Sequence, residues 1–201
     1  MQATQTVGVS PQLAHVLISA VGFAGEQLSV MMERQIKMRG THVEQLELEK
    51  LPGLTAEEDR PVTAVHLAFS GDCDGHVVLS FTPEAAQHLI AIILMEPVSP
   101  EEILGDMERS VLGEVGNITT ASFLNSVSNA CRLGLQPSPP TIVQDMIGAL
   151  LSNVVIEMAL DSSHALLIHT IFEIEGDRLQ GELLLMPSAA SCARLEGQLV
   201  R

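Results

Sequence analysis

Three polar residues, Ser110, Glu114 and Asn117, stand at i, i+4 and i+7 in a stretch of helical apolar spacing. At about 100° per residue they fall within an arc of about 60° on one helix flank. Glu offers a carboxylate that takes a charge-assisted bond from an ammonium or guanidinium. Asn offers a neutral carboxamide, acceptor and double donor at once, which binds water without repelling an anion. Such a pair suits a reaction that needs a water held beside a charged substrate rather than a strong nucleophile. On spacing alone the same flank also reads as an ordinary solvated helix face.

Other site chemistries find less support. No Ser-His-Asp set and no Gly-rich phosphate loop is present, and the seven histidines contain no i, i+4 pair, so no metal site is expected. His66, His88 and His169 sit in apolar contexts and read as packing residues. Asp72-Cys73-Asp74-Gly75 has two carboxylates but lacks the closing Glu of a calcium loop, and reads as a hairpin turn. The three cysteines are odd in number and far apart, which fits reduced thiols in a cytoplasmic protein.

The elements that must position the flank follow from periodicity. A first long helix opens at Pro11 after Ser10 and is expected to run to about Met38, ended by Arg39-Gly40. Residues 42–50 read as a strand and 55–60 as an acidic loop. Strands at 61–70 and 75–82 form a hairpin, and Pro83 opens a short helix to about Met95. A second long helix, about 100–131, carries the flank, with Leu104, Met107, Val111, Val115 and Ile118 as its core stripe. Gly113 and Gly116 fall away from that stripe, each costing about 1 kcal/mol relative to Ala, as if something packs close to the backbone there. A Pro-rich connection, 133–140, leads to a helix at 141–151. Strands at 152–161, 164–174 and 179–186 follow, and Pro187 opens a last helix.

The 201 residues are 46% hydrophobic and 17% charged, with a formal net charge of -15 and no Trp or Tyr. The composition is globular. Its acidity opposes nucleic acid and anionic membrane surfaces as partners, and it has few aromatic rings to stack on bases. The longest apolar stretch, Leu89 to Met95, is too short to span a bilayer, and no signal peptide is visible.

The two halves resemble one another. Gly75 opens an apolar strand leading to Thr82-Pro83-Glu84-Ala85-Ala86, and Gly181 opens one leading to Met186-Pro187-Ser188-Ala189-Ala190. Ala20-Val21-Gly22-Phe23 resembles Glu114-Val115-Gly116-Asn117. These matches indicate one α+β domain over 1–201, duplicated as halves of about 8–98 and 99–201. The expected architecture has a pseudo-two-fold axis, with two long helices and shorter ones packed on an antiparallel sheet.

Ser110, Glu114, Asn117 and Pro140 keep a fixed pattern: three residues, two residues, then twenty-two between them. The pattern resembles the signature of the CheC/CheX chemotaxis phosphatases, with Ser138-Pro139-Pro140 and Asp145-Met146 alike as well. The resemblance covers essentially the whole chain. It implies hydrolysis of the aspartyl phosphate on the response regulator CheY. Asn117 would orient the attacking water and Glu114 would pair with a regulator Lys, while Ser110 and Pro140 support the site. The chain would need no cofactor of its own, since the regulator carries the Mg2+. The resemblance also implies the deamidase CheD as a second partner, a monomeric state, and, as the alternative function, a non-catalytic chemotaxis or flagellar-switch module that binds CheY or CheD. Many family members resemble the pattern twice. Here the sequence match sets Ala20 and Phe23 where the first copy needs Glu and Asn. A second register, keeping the gap to Pro52, sets Glu26 and Ser29 there. Both registers leave the first site degenerate.

Overall fold

The computed structural model describes residues 5–47, 60–96, 104–158, 164–174 and 176–199. The strands are β1 (Gln5–Val7), β2 (Ile36–Glu47), β3 (Pro61–Gly71), β4 (Gly75–Phe81), β5 (Leu135–Pro137), β6 (Thr141–Met146), β7 (His164–Ile174) and β8 (Asp177–Pro187). The helices are α1 (Pro11–Met32), α2 (Pro83–Leu94), α3 (Asp106–Cys131), α4 (Ile147–Met158) and α5 (Ala189–Leu199). The fold is α+β, as the periodicity implies. The eight strands form one sheet in the order β1-β2-β7-β8-β4-β3-β5, with β6 also paired to β3. Its pairs are antiparallel except for β1 on β2.

Each half supplies a long helix, a strand, a hairpin and a short helix, but the sheet interleaves them. The first half's β2 pairs with the second half's β7, and β6 pairs with β3. At the centre, Val78 stands opposite Leu184. Each lies three residues after its copy's glycine, Gly75 or Gly181, so the approximate two-fold axis passes through this pair. The helix openings agree: Thr82 Oγ1 accepts from Ala85 N at 3.2 Å, and Ser188 Oγ accepts from Ser191 N at 3.2 Å. Thr82 therefore corresponds to Ser188. The sequence match of Pro83 with Pro187 slips by two residues, because Pro187 ends β8 rather than opening α5.

One face of the sheet buries α1, α2, α3 and α5 over Leu67, Leu79, Ile168 and Leu183. The other face holds α4, whose Ile147, Leu150, Leu151 and Val154 pack on Val62, Ala64 and Val78. By length and composition α1 is apolar enough to cross a membrane. Here eight of its residues are buried against α3 and the sheet, which is the placement of a core helix.

Several boundaries differ from those expected. Helix α1 ends at Met32, not near Met38, because Glu33 takes a left-handed conformation at φ 53° and Arg34 N donates to Ser29 O at 3.2 Å. That closes the helix without a glycine. Ser29 Oγ also donates to Arg34 O and accepts from Ile36 N, turning the chain directly into β2. Helix α3 begins at Asp106, not 100. The expected helix at 141–151 is strand β6 followed by α4, and the expected strand at 152–161 is helical through Met158. Within 55–60 only Arg60 is among the described residues, and 48–50 and Pro52 lie outside them.

Candidate functional site

Helix α3 lies between α1 and the strands β3, β5 and β6. Two neighbours make it buried around much of its circumference: Leu112, Val115, Gly116, Thr119, Phe123 and Val127 are all covered. The expected stripe is thus rotated. Met107 is 64% exposed, and Leu112 takes the core position instead. Gly116 explains how the helix sits so close. A Cβ there would overlap Val65 Cγ1 on β3 and come within 2.7 Å of Val65 Cβ. Gly113 faces Ile142 of β6, at 3.4 Å from where its Cβ would stand. The close packing anticipated at these glycines is against the sheet, not on an outer surface.

This packing leaves the Ser110–Glu114–Asn117 flank turned outward. Ser110 and Glu114 are exposed and Asn117 is half-buried. Among the described residues none of the three side chains makes a hydrogen bond or ion pair. A carboxylate and a carboxamide therefore stand one turn apart with their polar groups unclaimed by the fold. Near the start of the same helix, Arg109 is held differently. Its guanidinium donates to Ile142 O at 3.1 Å and to Gln144 Oε1 at 3.5 Å, tying the N-terminal part of α3 to β6. The periodicity gave no sign of this tether, because β6 was read as helix.

Pro140 lies between β5 and β6, one residue before Thr141, which pairs with His66 of β3. Ser138 anchors the same connection: its Oγ accepts from Ala68 N at 3.1 Å and its N–H donates to Ala68 O at 2.8 Å. Pro140 thus belongs to the segment that sets β6 beside Gly113 and Arg109. It is a scaffold position, not part of the exposed flank.

Helix α1 is the counterpart of α3, and the two close with the same device. Ser29 Oγ donates to Arg34 O, and Ser128 Oγ donates to Leu133 O. Glu33 and Arg132 are the left-handed caps, both at φ 53°. Counted back from Ser128, Glu114 and Asn117 lie fourteen and eleven residues earlier, and the same steps from Ser29 reach His15 and Ile18. Burial agrees: His15 is exposed like Glu114, and Ile18 is half-buried like Asn117. Ala20, by contrast, is wholly buried, and Phe23, Glu26 and Ser29 lie further along the helix. Pairing through the caps thus gives a third register for the first half, beside Ala20/Phe23 and Glu26/Ser29. This register rests on bonds at the helix ends, whereas the Val-Gly match is local in sequence.

The remaining expected features are structural. The Asp72–Gly75 turn is stitched to its surroundings: Gly134 N donates to Asp72 Oδ2 at 2.7 Å, and Asp74 Oδ1 accepts from Ser188 and Ser191 hydroxyls. His66 bonds His76 at 2.9 Å, His88 bonds Asp177 at 2.9 Å, and His169 bonds Glu44 at 3.1 Å. The described residues hold no group of three or more His, Cys, Asp or Glu side chains suited to a metal ion. Burial pushes the thiols of Cys73, Cys131 and Cys192 above their ordinary range, so they stay protonated near neutral pH.

Comparison with known proteins places this geometry. Residues 63–155 match the family model described as chemotaxis phosphatase CheX, a span that contains all of α3. The chain is 27% identical over 178 residues to the CheY-P phosphatase CheC of Bacillus subtilis, covering 87% of this chain and 85% of that protein. Among solved structures, Thermotoga maritima FliY superimposes with a TM-score of 0.74 at 18% identity, covering 96% of this chain and 98% of the other. CheX in the CheX-CheY-BeF3-Mg+2 complex from Borrelia burgdorferi gives a TM-score of 0.52 at 18% identity, over 88% and 97%. The chain is similar in sequence to the CheC/CheX chemotaxis phosphatases and shares their fold.

Proposed function

We propose that this chain hydrolyses the aspartyl phosphate of a CheY-type receiver domain through the α3 flank alone. The observation that carries the reading is the pair of unclaimed side chains, Glu114 and Asn117, facing outward on a helix seated tightly against the sheet. An acyl phosphate is already reactive, and phosphoryl transfer is helped mainly by positioning and charge stabilisation. The Asn117 carboxamide holds a water in line with the phosphorus. The water oxygen bonds to phosphorus as the bond to the receiver carboxylate breaks, and the water's proton leaves to phosphate or solvent. Glu114 takes a charge-assisted bond from a receiver lysine and so fixes how the two proteins dock. The divalent ion that neutralises the phosphoryl group is the receiver's own. In this scheme the chain works in the cytoplasm as a monomer.

The test is to add the protein to a phosphorylated receiver and follow phosphate loss. Acceleration is expected. Glu114→Ala should cost about 1.5–3 kcal/mol, seen mainly as a raised KM. No acceleration by the wild-type chain would remove the phosphatase reading. It would favour the second reading, an interaction module with an idle site that binds a receiver or a CheD-type deamidase. The exposed apolar face of α1 is the observation that keeps this second reading in view.

A further inference from the structure

Helix α1 carries an apolar outer face that α3 lacks. Phe23, Val30 and Met31 are 39%, 70% and 63% exposed. Paired through the closing serines, the same positions on α3 hold Ser122, Asn129 and Ala130. Phe23 and Val30, seven residues apart, lie within about 20° of each other on the helix. Beside them a groove of about 620 Å³ runs between α1 and β2, lined by Gly22, Glu26, Val30, Lys37, Arg39 and Glu173 among others.

Gly22 is what makes this groove more than a surface irregularity. A glycine inside a helix costs about 1 kcal/mol relative to Ala. Gly25 and Gly116 have reasons: a Cβ would stand 2.6 Å from Met38 N in one case and overlap Val65 in the other. A Cβ on Gly22 would meet nothing within 4 Å. No part of the described chain uses the space it leaves.

Charge adds a direction. Acidic residues outnumber basic ones 25 to 10, yet cations gather here. Lys37 and Arg178 both stand opposite Glu173 in the ladder, and Arg39 pairs with the same carboxylate. Lys37 itself makes no ion pair among the described residues. Glu173 thus faces three cations, of which Lys37 and Arg39 line the groove together with Glu26 and Glu173.

We propose that this groove binds a segment of a partner protein that sets an apolar side chain over Gly22 and Val30 and carboxylates against Lys37 and Arg39. A lipid surface fits less well, because the groove is concave and a flat headgroup layer does not enter it. The binding is independent of the α3 flank.

Fluorescence anisotropy of the full chain with two labelled 15-residue peptides tests it. One peptide presents leucines at helical spacing flanked by glutamates, and in the other every glutamate is lysine. The acidic peptide should bind saturably and the basic one should not. Lys37→Glu and Gly22→Leu should each weaken binding by about tenfold or more, with Asn129→Ala unchanged. Lys37 is an exposed strand residue, so its variant decides the matter even if Gly22→Leu fails to fold. Three results overturn the proposal: no saturable binding of the acidic peptide, equal binding of both peptides, or binding indifferent to Lys37→Glu. Adsorption to phosphatidylserine vesicles lost in Val30→Glu would assign the face to a membrane. A concentration-dependent dimer mass lost in that variant would assign it to a second copy. Either outcome also overturns the proposal.

Discussion

Fourteen and eleven residues before its closing serine, α3 holds Glu114 and Asn117, and at the same steps α1 holds His15 and Ile18. The ends of the two helices are built alike, from a serine hydroxyl back-bonded to the carbonyl five residues on and a left-handed cap. Their buried positions also agree, with Leu13 and Leu28 covered on one helix and Leu112 and Val127 on the other. What differs is what faces out. The fold constrains ends and core, because those groups lose hydrogen bonds or apolar contacts if changed. The outward flank contributes little to stability, so one copy can hold a carboxylate and a carboxamide while the other holds neither. Flank and scaffold are separable here, and the changed flank on α1 is no sign of a damaged half.

The sharpest way to break this pairing is to put a carboxylate at two rival positions. Ala20→Glu would bury a charge at a wholly covered site and should cost roughly several kcal/mol, enough to unfold a marginal domain. His15→Glu, at the exposed counterpart of Glu114, should shift stability by no more than about 0.5 kcal/mol. Denaturant midpoints read both, and equal costs would refute the pairing. Next in size is the contrast between glycines. Gly116→Ala pushes a methyl into Val65 and should destabilise by about 1–3 kcal/mol. Gly22→Ala meets open space and should stabilise by up to about 1 kcal/mol. The smallest effect sharpens the likeness: Ser29→Ala and Ser128→Ala should each cost about 1 kcal/mol. A large inequality in melting temperature between those two would mean that the helix ends are not equivalent.

Much of the molecule was readable before any coordinates. Helical spacing at Leu13–Leu28 gives α1, the Asp72–Gly75 turn between two apolar runs gives β3 and β4, and the glycines at 75 and 181 give the duplication. The spacing from Ser110 to Asn117 put three polar side chains on one flank, as the helix geometry has them. Failures came where long-range contact decides. The run Ile147–Met158 is mostly apolar with few polar breaks, so its period is ambiguous, and packing on Val62 and Val78 makes it helix. Glu33 and Arg132 close helices in a conformation usually taken by glycine, so no glycine marked the end of α1. The pairing of α1 with α3 through Ser29 and Ser128 has no local sequence signal, since it rests on bonds at the far end of each helix. Nothing in the sequence marks Arg109, because its partner Ile142 lies on a strand whose pattern reads as helix.

The proposed function makes α3 the sole catalytic helix and Asn117 the residue that places the water. It is tested most directly by timing phosphate loss from a phosphorylated receiver with Asn117→Ala against wild type, at receiver concentrations that saturate both. The expected result is a folded variant whose acceleration falls by about 100-fold or more, with nothing supplied by the α1 half. Acceleration kept at the wild-type level in Asn117→Ala would contradict it.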